Sequence, residues 1–597
     1  MNSLGYWRVG LILLLNVLLW SPALFAQDYY VDSLNGKDKN KGSKEKPFAS
    51  LAKINAIVLK PGDKIFLKAG DTFNGTLRVL NESGSAQQPI TISTFGGKLE
   101  DNKLRAHINA SGELAGIEIK NSSYINVSNI DIEANGGKTQ KLHDRKVAEA
   151  MRVGVLIYID KKSNQEFGHI TLDNLNIHDI YYYNFGDIDR AGDVNTQNGT
   201  QAYGYGIRLF NRSSGAKTFL TDITIKNSEI YDIAHTGIKA TANNPRIQTS
   251  PYPILKKLIK NITLENNFLH DIGGPGIMFS GVDGSLVSHN KTDRTGSSRD
   301  FDTGRYDARK WGRGSGMWTW NANDVLVEYN EFKNAVGPAD SAGFHIDFHC
   351  SNIVIQYNLS MNNEGAFIEI LGNNRNNSYR YNVSINDGYR VKGDMSRPYG
   401  KATHDGKTLW LSGFVGMRGR KVNPNIAPVN NYIYNNTVYV DHVAQLAAHQ
   451  YTNGAVIANN IFYFKKGSYY LPQKRYQLVN GKNPSKHLNM TNNLFLTDKD
   501  WPVVGVMDNK AAIIGDPLFA NGGGKTIIDY LPTNSHLVTN KGIEILPLPN
   551  SNGLRGNNRS GGLIVTKDIL GKNLNGKIHL GAIAPNVKIA ATSNSIL

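Results

Sequence analysis

Val327-Glu-Tyr-Asn-Glu-Phe332, Ile355-Gln-Tyr-Asn-Leu359, Tyr379-Arg-Tyr-Asn-Val383, Tyr432-Ile-Tyr-Asn-Asn436 and Val456-Ile-Ala-Asn-Asn-Ile-Phe462 are versions of one phrase. Each alternates apolar and polar residues and then places an Asn. Alternation with period two is a strand pattern, because successive side chains leave opposite faces of the backbone. The Asn suits a tight turn in the left-handed backbone region, and stacked Asn side chains can hydrogen-bond from turn to turn. The interval is 24 residues from Asn358 to Asn382 and again from Asn436 to Asn460. A fixed interval of this length with strand periodicity predicts a solenoid whose coils add parallel strands to one another. Ile223-Thr-Ile-Lys-Asn-Ser-Glu-Ile-Tyr-Asp-Ile233 and Ile262-Thr-Leu-Glu-Asn-Asn-Phe-Leu-His-Asp-Ile272 carry the pattern upstream, toward residue 115.

The bulk properties agree. The chain has 597 residues and 60 Gly, enough turns for many short strands. Cys350 is the only cysteine, so burial and backbone hydrogen bonds must hold the fold. Arg8, the apolar run Leu11-Ile-Leu-Leu-Leu-Asn-Val-Leu-Leu-Trp20 and the stretch ending at Ala26 read as an export signal. The apolar run is too short to span a bilayer comfortably, so a secreted or periplasmic protein without stable membrane insertion is expected. The net charge of +16 favours a polyanionic partner. With export and no nucleic-acid motif, that partner is expected to be an acidic polysaccharide or oligosaccharide rather than nucleic acid. The reading divides the chain into a signal (1–26), an N-terminal cap with the first coils (27–114), the solenoid core (115–510) and the closing coils (511–597). Helical periodicity is confined to 47–59, where an amphipathic segment is expected to cover the first, open coil.

Tyr29-Tyr-Val-Asp-Ser33, Pro47-Phe-Ala-Ser-Leu51 and Pro61-Gly-Asp-Lys-Ile-Phe-Leu67 at the start, and Asp516-Pro-Leu-Phe519 and Leu580-Gly-Ala-Ile583 at the end, complete a resemblance. The chain resembles the pectate-lyase-like, right-handed parallel β-helix superfamily of carbohydrate-active enzymes over nearly its whole mature length. The resemblance implies an all-β single solenoid with long loop insertions. It leaves the reaction open, because the fold hosts lyases, hydrolases, epimerases and binding spikes. A solenoid with covered ends offers no free sheet edge, so a monomer is expected.

A second phrase, Gly followed by four strand residues, recurs at Gly206, Gly237, Gly276, Gly316, Gly343, Gly365 and Gly388. Its outward third position reads Arg208, Lys239, Met278, Trp318, His345, Phe367, Arg390, and its fifth reads Phe210, Thr241, Ser280, Trp320, Asp347, Glu369, Lys392. Equivalent positions in neighbouring coils lie about 4.8 Å apart. The strip therefore joins aromatic rings, carboxylates and cations as a sugar chain requires. Insertions at 181–205, 283–313 and 393–428 are expected to wall a cleft beside it and to supply Arg294, Arg299, Arg305, Arg309, Trp311, Arg313, His404, Arg418 and Arg420.

Three chemistries fit this strip. In the leading one, a uronic-acid sugar loses its C5 proton and then the group on C4, by chain cleavage or by dehydration of a terminal uronate. Lys392 or His345 is the base, and Arg390 grips the carboxylate or depresses the Lys392 pKa. Asp347 and Glu369 hold the cations in place or bind Ca²⁺. Family resemblance implies a similar arrangement, with a Lys or Arg base and Ca²⁺-binding acids one or two coils away. Arg208, Lys239, Trp318, Trp320 and His404 line the substrate in this reading. The alternative is a glycoside hydrolase using Asp347 and Glu369 at about the 5–5.5 Å of a retaining pair, with Asp340 or Glu364 giving a wider inverting pair. The third reading is a non-catalytic glycan-binding solenoid resting on Trp318 and Trp320.

Overall fold

The structure is a computed structural model. It describes residues 26–97, 104–135, 140–141, 150–161, 163–181, 202–213, 217–242, 258–299, 306–308, 314–397, 399–418, 421–422, 425–441, 445–446, 448–450, 452–465, 469–470, 486–497, 511–549 and 562–585.

The chain folds as a right-handed parallel β-helix. Three long sheets run along it: a first of 14 strands from Asp28–Val31 to Lys486–Thr491, a second of 12 strands and a third of 14 strands. Each coil visits the first, the third and then the second sheet, as in Asn323–Glu328, Glu331–Lys333 and Phe344–Ile346. Apolar residues stack inward in register, and one such row on the second sheet reads Ile207, Ile238, Ile277, Met317 and Phe344. All five belong to one continuous core. Parallel strands covered on their inner face by such rows explain how the fold holds without a disulfide, and Cys350 is buried.

The recurring Asn builds a ladder at the turn between the first and third sheets. Asn267, Asn290, Asn330, Asn358, Asn382, Asn436, Asn460 and Asn493 each donate or accept side-chain bonds at 2.9–3.0 Å with the next in line. The left-handed conformation falls one residue earlier than the phrase suggested, at Tyr329 (φ 55°), Tyr357 (φ 58°) and Tyr381 (φ 52°). That displacement frees the Asn side chain to turn inward and bond the backbone of its own and the adjoining coils, as Asn358 does with the Gln356 and Val327 carbonyls. The Tyr row stays outside, with Tyr329 and Tyr357 stacked at 5.0 Å, and the Tyr357 hydroxyl donates to the Lys567 carbonyl of the C-terminal segment.

Within the segment 47–59 the helix runs over Leu51–Asn55, with Ser50 accepting from the Lys53 N–H and Leu51 and Ile54 buried. Asn55 reaches the outer edge of the second sheet, donating to the Thr76 carbonyl and accepting from the Arg78 N–H, each at 2.8 Å. The insertion expected from 283 begins later, because Val282–Ser288 and Lys291–Thr295 are ordinary coil strands. Among the described residues, no helix is long and apolar enough to cross a membrane. Of the expected export signal, residues 1–26, all but Ala26 lie outside the described residues.

Candidate active site

Four consecutive strands of the second sheet, Met317–Trp320, Phe344–Ile346, Ala366–Ile370 and Lys407–Ser412, carry the centre of the strip. Trp318 pairs with His345, and Glu369 pairs with Trp410. The pairing of Ile346 with Ile370 sets His345 beside Glu369. The outward row thus reads Trp318, His345, Glu369, Trp410. The Trp318 indole lies parallel to the His345 imidazole at 5.8 Å and 5°. His345 Nδ1 shares a 3.1 Å hydrogen bond with Ser315 Oγ.

This register corrects two sequence assignments. Gly365 does not align with Gly343, so Glu369 moves two places along its strand, from the Asp347 row to the His345 row. A two-residue shift keeps a side chain on the same face, which is why Glu369 still points outward. Phe367 instead joins the core, with its ring against Tyr379. The second correction is larger. Gly388 to Lys392 is a loop, and Lys407–Ser412 is the strand that pairs with Ala366–Ile370.

Lys392 is therefore exposed on the loop, its N–H bound to Asp405 Oδ1 at 2.7 Å. Arg390 is buried, and its guanidinium donates to the carbonyls of His404 and Gly337 at 2.7 Å and of Asp340 at 3.1 Å. Burial depresses its pKa, opposed by Tyr399, Asp340 and Glu369. Arg390 is a clamp that ties the loop to the turn carrying Asp340. Glu364 is sealed and engaged by the Gly337 N–H, the Tyr399 hydroxyl and Arg397, so it is part of the scaffold.

Asp340 was only a secondary candidate, yet it stands at the site. Asp340 (φ 46°) and Ser341 (φ 63°) are successive non-glycine residues in the left-handed region, which makes this a locally strained turn. The turn lies so close to the next coil that a Cβ on Gly365 would meet the Asp340 carbonyl oxygen at 1.9 Å, which is why glycine is required there. Asp347 follows strand Phe344–Ile346 and accepts from the Phe348 N–H at 2.9 Å.

Glu369 feels all of these groups. Burial pushes its carboxyl up to about 8, and the charges of Asp340 and Asp347 push the same way, against Lys407 and Arg390. Lys407, which the sequence reading missed, is buried with Nζ 3.5 Å from the centre of the Trp410 ring. Gly406-Lys-Thr-Leu-Trp410 repeats the spacing of Gly365-Ala-Phe-Ile-Glu369 and was the signal available for finding it. His404 stands at the rim, open to solvent on one side. Burial among the loop residues holds its pKa below the usual value, Lys407, Arg390 and Lys392 add to this, and Asp340 opposes it.

Further along the strip, Arg208 is buried between the rings of Tyr205 and Phe210, each 4.5 Å away. Lys239 extends toward the Tyr205 hydroxyl at 3.5 Å, and burial, with the neighbouring Arg208, drives its pKa well down. Arg208 is buried with Nε and Nη1 unmet by protein, and Lys239 is half-buried. Several buried polar atoms on this face have no hydrogen-bond partner: the indole N–H groups of Trp318 and Trp320, Thr241 Oγ1 and Ser280 Oγ. Thr241, Ser280 and Trp320 occupy one register row, so these unmet groups form a line across adjacent coils. Arg294 is elsewhere, bound through Nε and Nη2 to Asp271 on the third sheet at 2.6 Å. The side chains of Arg299, Arg305, Arg309, Trp311, Arg313, Arg418 and Arg420 lie outside the described residues.

A family model for the right-handed beta helix region matches residues 156–397. A lacto-N-biosidase of Bifidobacterium longum subsp. longum is 28% identical over 508 residues, which is 73% of this chain and 28% of the relative. This chain thus spans little more than a quarter of that relative's length. Among solved structures, the GH136 lacto-N-biosidase from Eubacterium ramulus covers 78% of this chain and 68% of its own, with 18% identity and a TM-score of 0.44. An alginate lyase from Paenibacillus sp. covers 56% and 93%, with 16% identity and a TM-score of 0.36. The relative over 508 residues is by name a glycosidase, which overturns the β-elimination reading and favours the hydrolase alternative. The geometry also takes Lys392 off the sheet and commits Arg390 to three backbone carbonyls, while His345, the other base of that reading, keeps its place in the row.

Proposed function

We propose that this right-handed parallel β-helix is a glycoside hydrolase whose reaction is carried by Asp340, Asp347 and Glu369. Hydrolysis of a glycosidic bond needs one carboxylic acid that keeps its proton at working pH and one carboxylate that does not. The observation that carries the reading is the buried Glu369 carboxyl set beside His345 in the outward row, where burial and the charges of Asp340 and Asp347 push its pKa up to about 8. In the resting site the cluster's proton resides on Glu369. Asp340, half-buried on its strained turn, and Asp347, at the strand end, are the groups that meet the sugar. Cleavage moves the cluster's proton to the glycosidic oxygen, and water supplies the hydroxyl that ends on the anomeric carbon and the proton that returns to the cluster.

The substrate in this reading is a neutral oligosaccharide, with lacto-N-biose at its end as the first choice, by analogy with the named relative. The commitment of Arg390 to three backbone carbonyls favours a neutral sugar over an acidic one at the carboxylate cluster. The unmet polar groups of Trp318, Trp320, Thr241 and Ser280 are the hydroxyl-binding groups, because buried donors without a protein partner are satisfied by water or ligand. The protein acts after export, through the signal read at residues 1–26.

The test is release of p-nitrophenol from the p-nitrophenyl glycoside of lacto-N-biose, and of reducing sugar from a panel of neutral oligosaccharides. Turnover by the full chain that is lost in Asp340→Asn and Asp347→Asn supports the reading. No release from any of them by a folded chain overturns it.

A further inference from the structure

On the third sheet, far from the carboxylate cluster, three successive coils bring two imidazoles and three carboxylates together. The strands are Ala106–Asn109, Ile130–Glu133 and Asn176–His178. His107 Nδ1 is 2.6 Å from Asp131 Oδ2, and His178 Nε2 is 3.2 Å from Asp131 Oδ1. The two rings lie 6.3 Å apart on either side of that carboxylate. Ligand atoms of His107, Asp131 and His178 all fall within 4.8 Å of one another, and all three side chains are half-buried. We propose that His107, Asp131 and His178 form a binding site for a borderline divalent cation of the Zn²⁺ type.

Three features point to such an ion. Two imidazoles and one carboxylate are a donor set that suits Zn²⁺ and its neighbours rather than Ca²⁺ or Mg²⁺. An ion with bonds of about 2.0–2.1 Å requires ligand atoms about 3.3 Å apart, so small side-chain rotations from the present spacings suffice. The nitrogen of each imidazole that would not bind the ion faces a carboxylate of its own. His178 Nδ1 meets Asp179 Oδ2 at 2.8 Å, and His107 Nε2 lies 3.6 Å from Glu133 Oε1. A carboxylate behind a histidine fixes its tautomer and raises its strength as a ligand. Asn176 Nδ2 holds Asp131 Oδ1 from the remaining side at 2.5 Å. The parallel register creates the site, because it sets His107 opposite Asp131 and His178 opposite Glu133. The ion would staple three coils near the start of the solenoid. The His178 coil lies four coils before that of His345, about 19 Å at 4.8 Å per coil, so the role is structural and does not touch the proposed chemistry.

The test uses metal-stripped full chain, Zn²⁺ in competition with a chromophoric chelator of micromolar affinity, and Co²⁺ as a spectroscopic probe. One equivalent of Zn²⁺ is expected to bind, with a rise in Tm and a visible Co²⁺ ligand-field band. His107→Gln and His178→Gln should each remove the stoichiometric binding and the band. Since either change could disturb folding, Asp179→Asn serves as a milder variant. It leaves the three ligands intact and should weaken Zn²⁺ by roughly 10–100-fold. Absence of stoichiometric binding to the folded wild type, or an unchanged Co²⁺ band in folded His178→Gln, overturns the proposal.

Discussion

The Trp318 indole and the His345 imidazole, paired across adjacent strands, lie parallel with centroids 5.8 Å apart. This stack spends one face of Trp318 on protein and leaves its buried N–H without a partner. Trp318 therefore offers the sugar a donor more than a flat platform. Trp318→Phe keeps the ring contact and removes the donor. A hydrogen bond of about 1–1.5 kcal/mol lost in binding should raise KM by about five- to tenfold with kcat little changed. Steady-state kinetics on the lacto-N-biose glycoside checks this, and a fall in kcat alone would contradict it.

In the proposed hydrolysis the acid limb belongs to Glu369. Its folded pKa is raised to about 8, so the proton needed by the leaving group is present below that value and is lost as pH rises through it. Activity should fall on the alkaline side with a midpoint near 8. Glu369→Gln, which cannot hold that proton, should lower kcat on the order of 10²–10⁴-fold across the pH range. The same shift has a stability consequence. Between the unfolded value near 4.5 and about 8 the folded chain holds a proton that the unfolded chain has released, so stability falls as pH rises across this window. Thermal denaturation of Glu369→Gln should show a weaker fall than wild type over the same range.

Asp340 and Asp347 should behave alike and unlike Lys392. Replacing either Asp by Asn should reduce kcat on the order of 10²–10⁴-fold, the usual worth of a positioned acid or base. Lys392→Ala, on an exposed loop, should remain within about twofold of wild type, since a solvated surface substitution changes little. Arg390→Ala should act through folding instead. It leaves three carbonyl acceptors without their donor, and its Tm should drop.

The Asn ladder sets a different test. Asn358 accepts from the Asn330 N–H and side-chain amide, and donates to the Val327 and Gln356 carbonyls. Asn358→Ala strands these groups inside the protein, and urea denaturation should show a loss of about 3 kcal/mol or more, at about 1–3 kcal/mol per unsatisfied group.

These residues also show what a sequence can and cannot carry. The Asn phrase announced the solenoid because every coil needs the same turn, so the signal is repeated and strong. The side of the sheet on which His345, Asp347 and Glu369 lie was legible for a similar reason, since period-two alternation fixes the face. Register was not. Gly343 and Gly365 look equivalent, but Gly365 is required by the close approach of the Asp340 turn, not by its place in the strand. Gly388-Tyr-Arg-Val-Lys392 imitates a strand by alternation alone, while Arg390 is buried by three carbonyl bonds made across the fold, which no local pattern announces. Asp340 was underrated because its importance comes from a strained turn and from proximity to Glu369, both of which exist only in three dimensions.

The most direct measurement is mass spectrometry of the products formed in ¹⁸O-enriched water from the lacto-N-biose glycoside and from neutral and uronic-acid oligosaccharides, with absorbance recorded in parallel. The account predicts cleavage of a neutral substrate, one heavy oxygen on the new reducing end and no unsaturated product. Cleavage of uronic-acid chains alone, with an unsaturated sugar and no label from water, would contradict it.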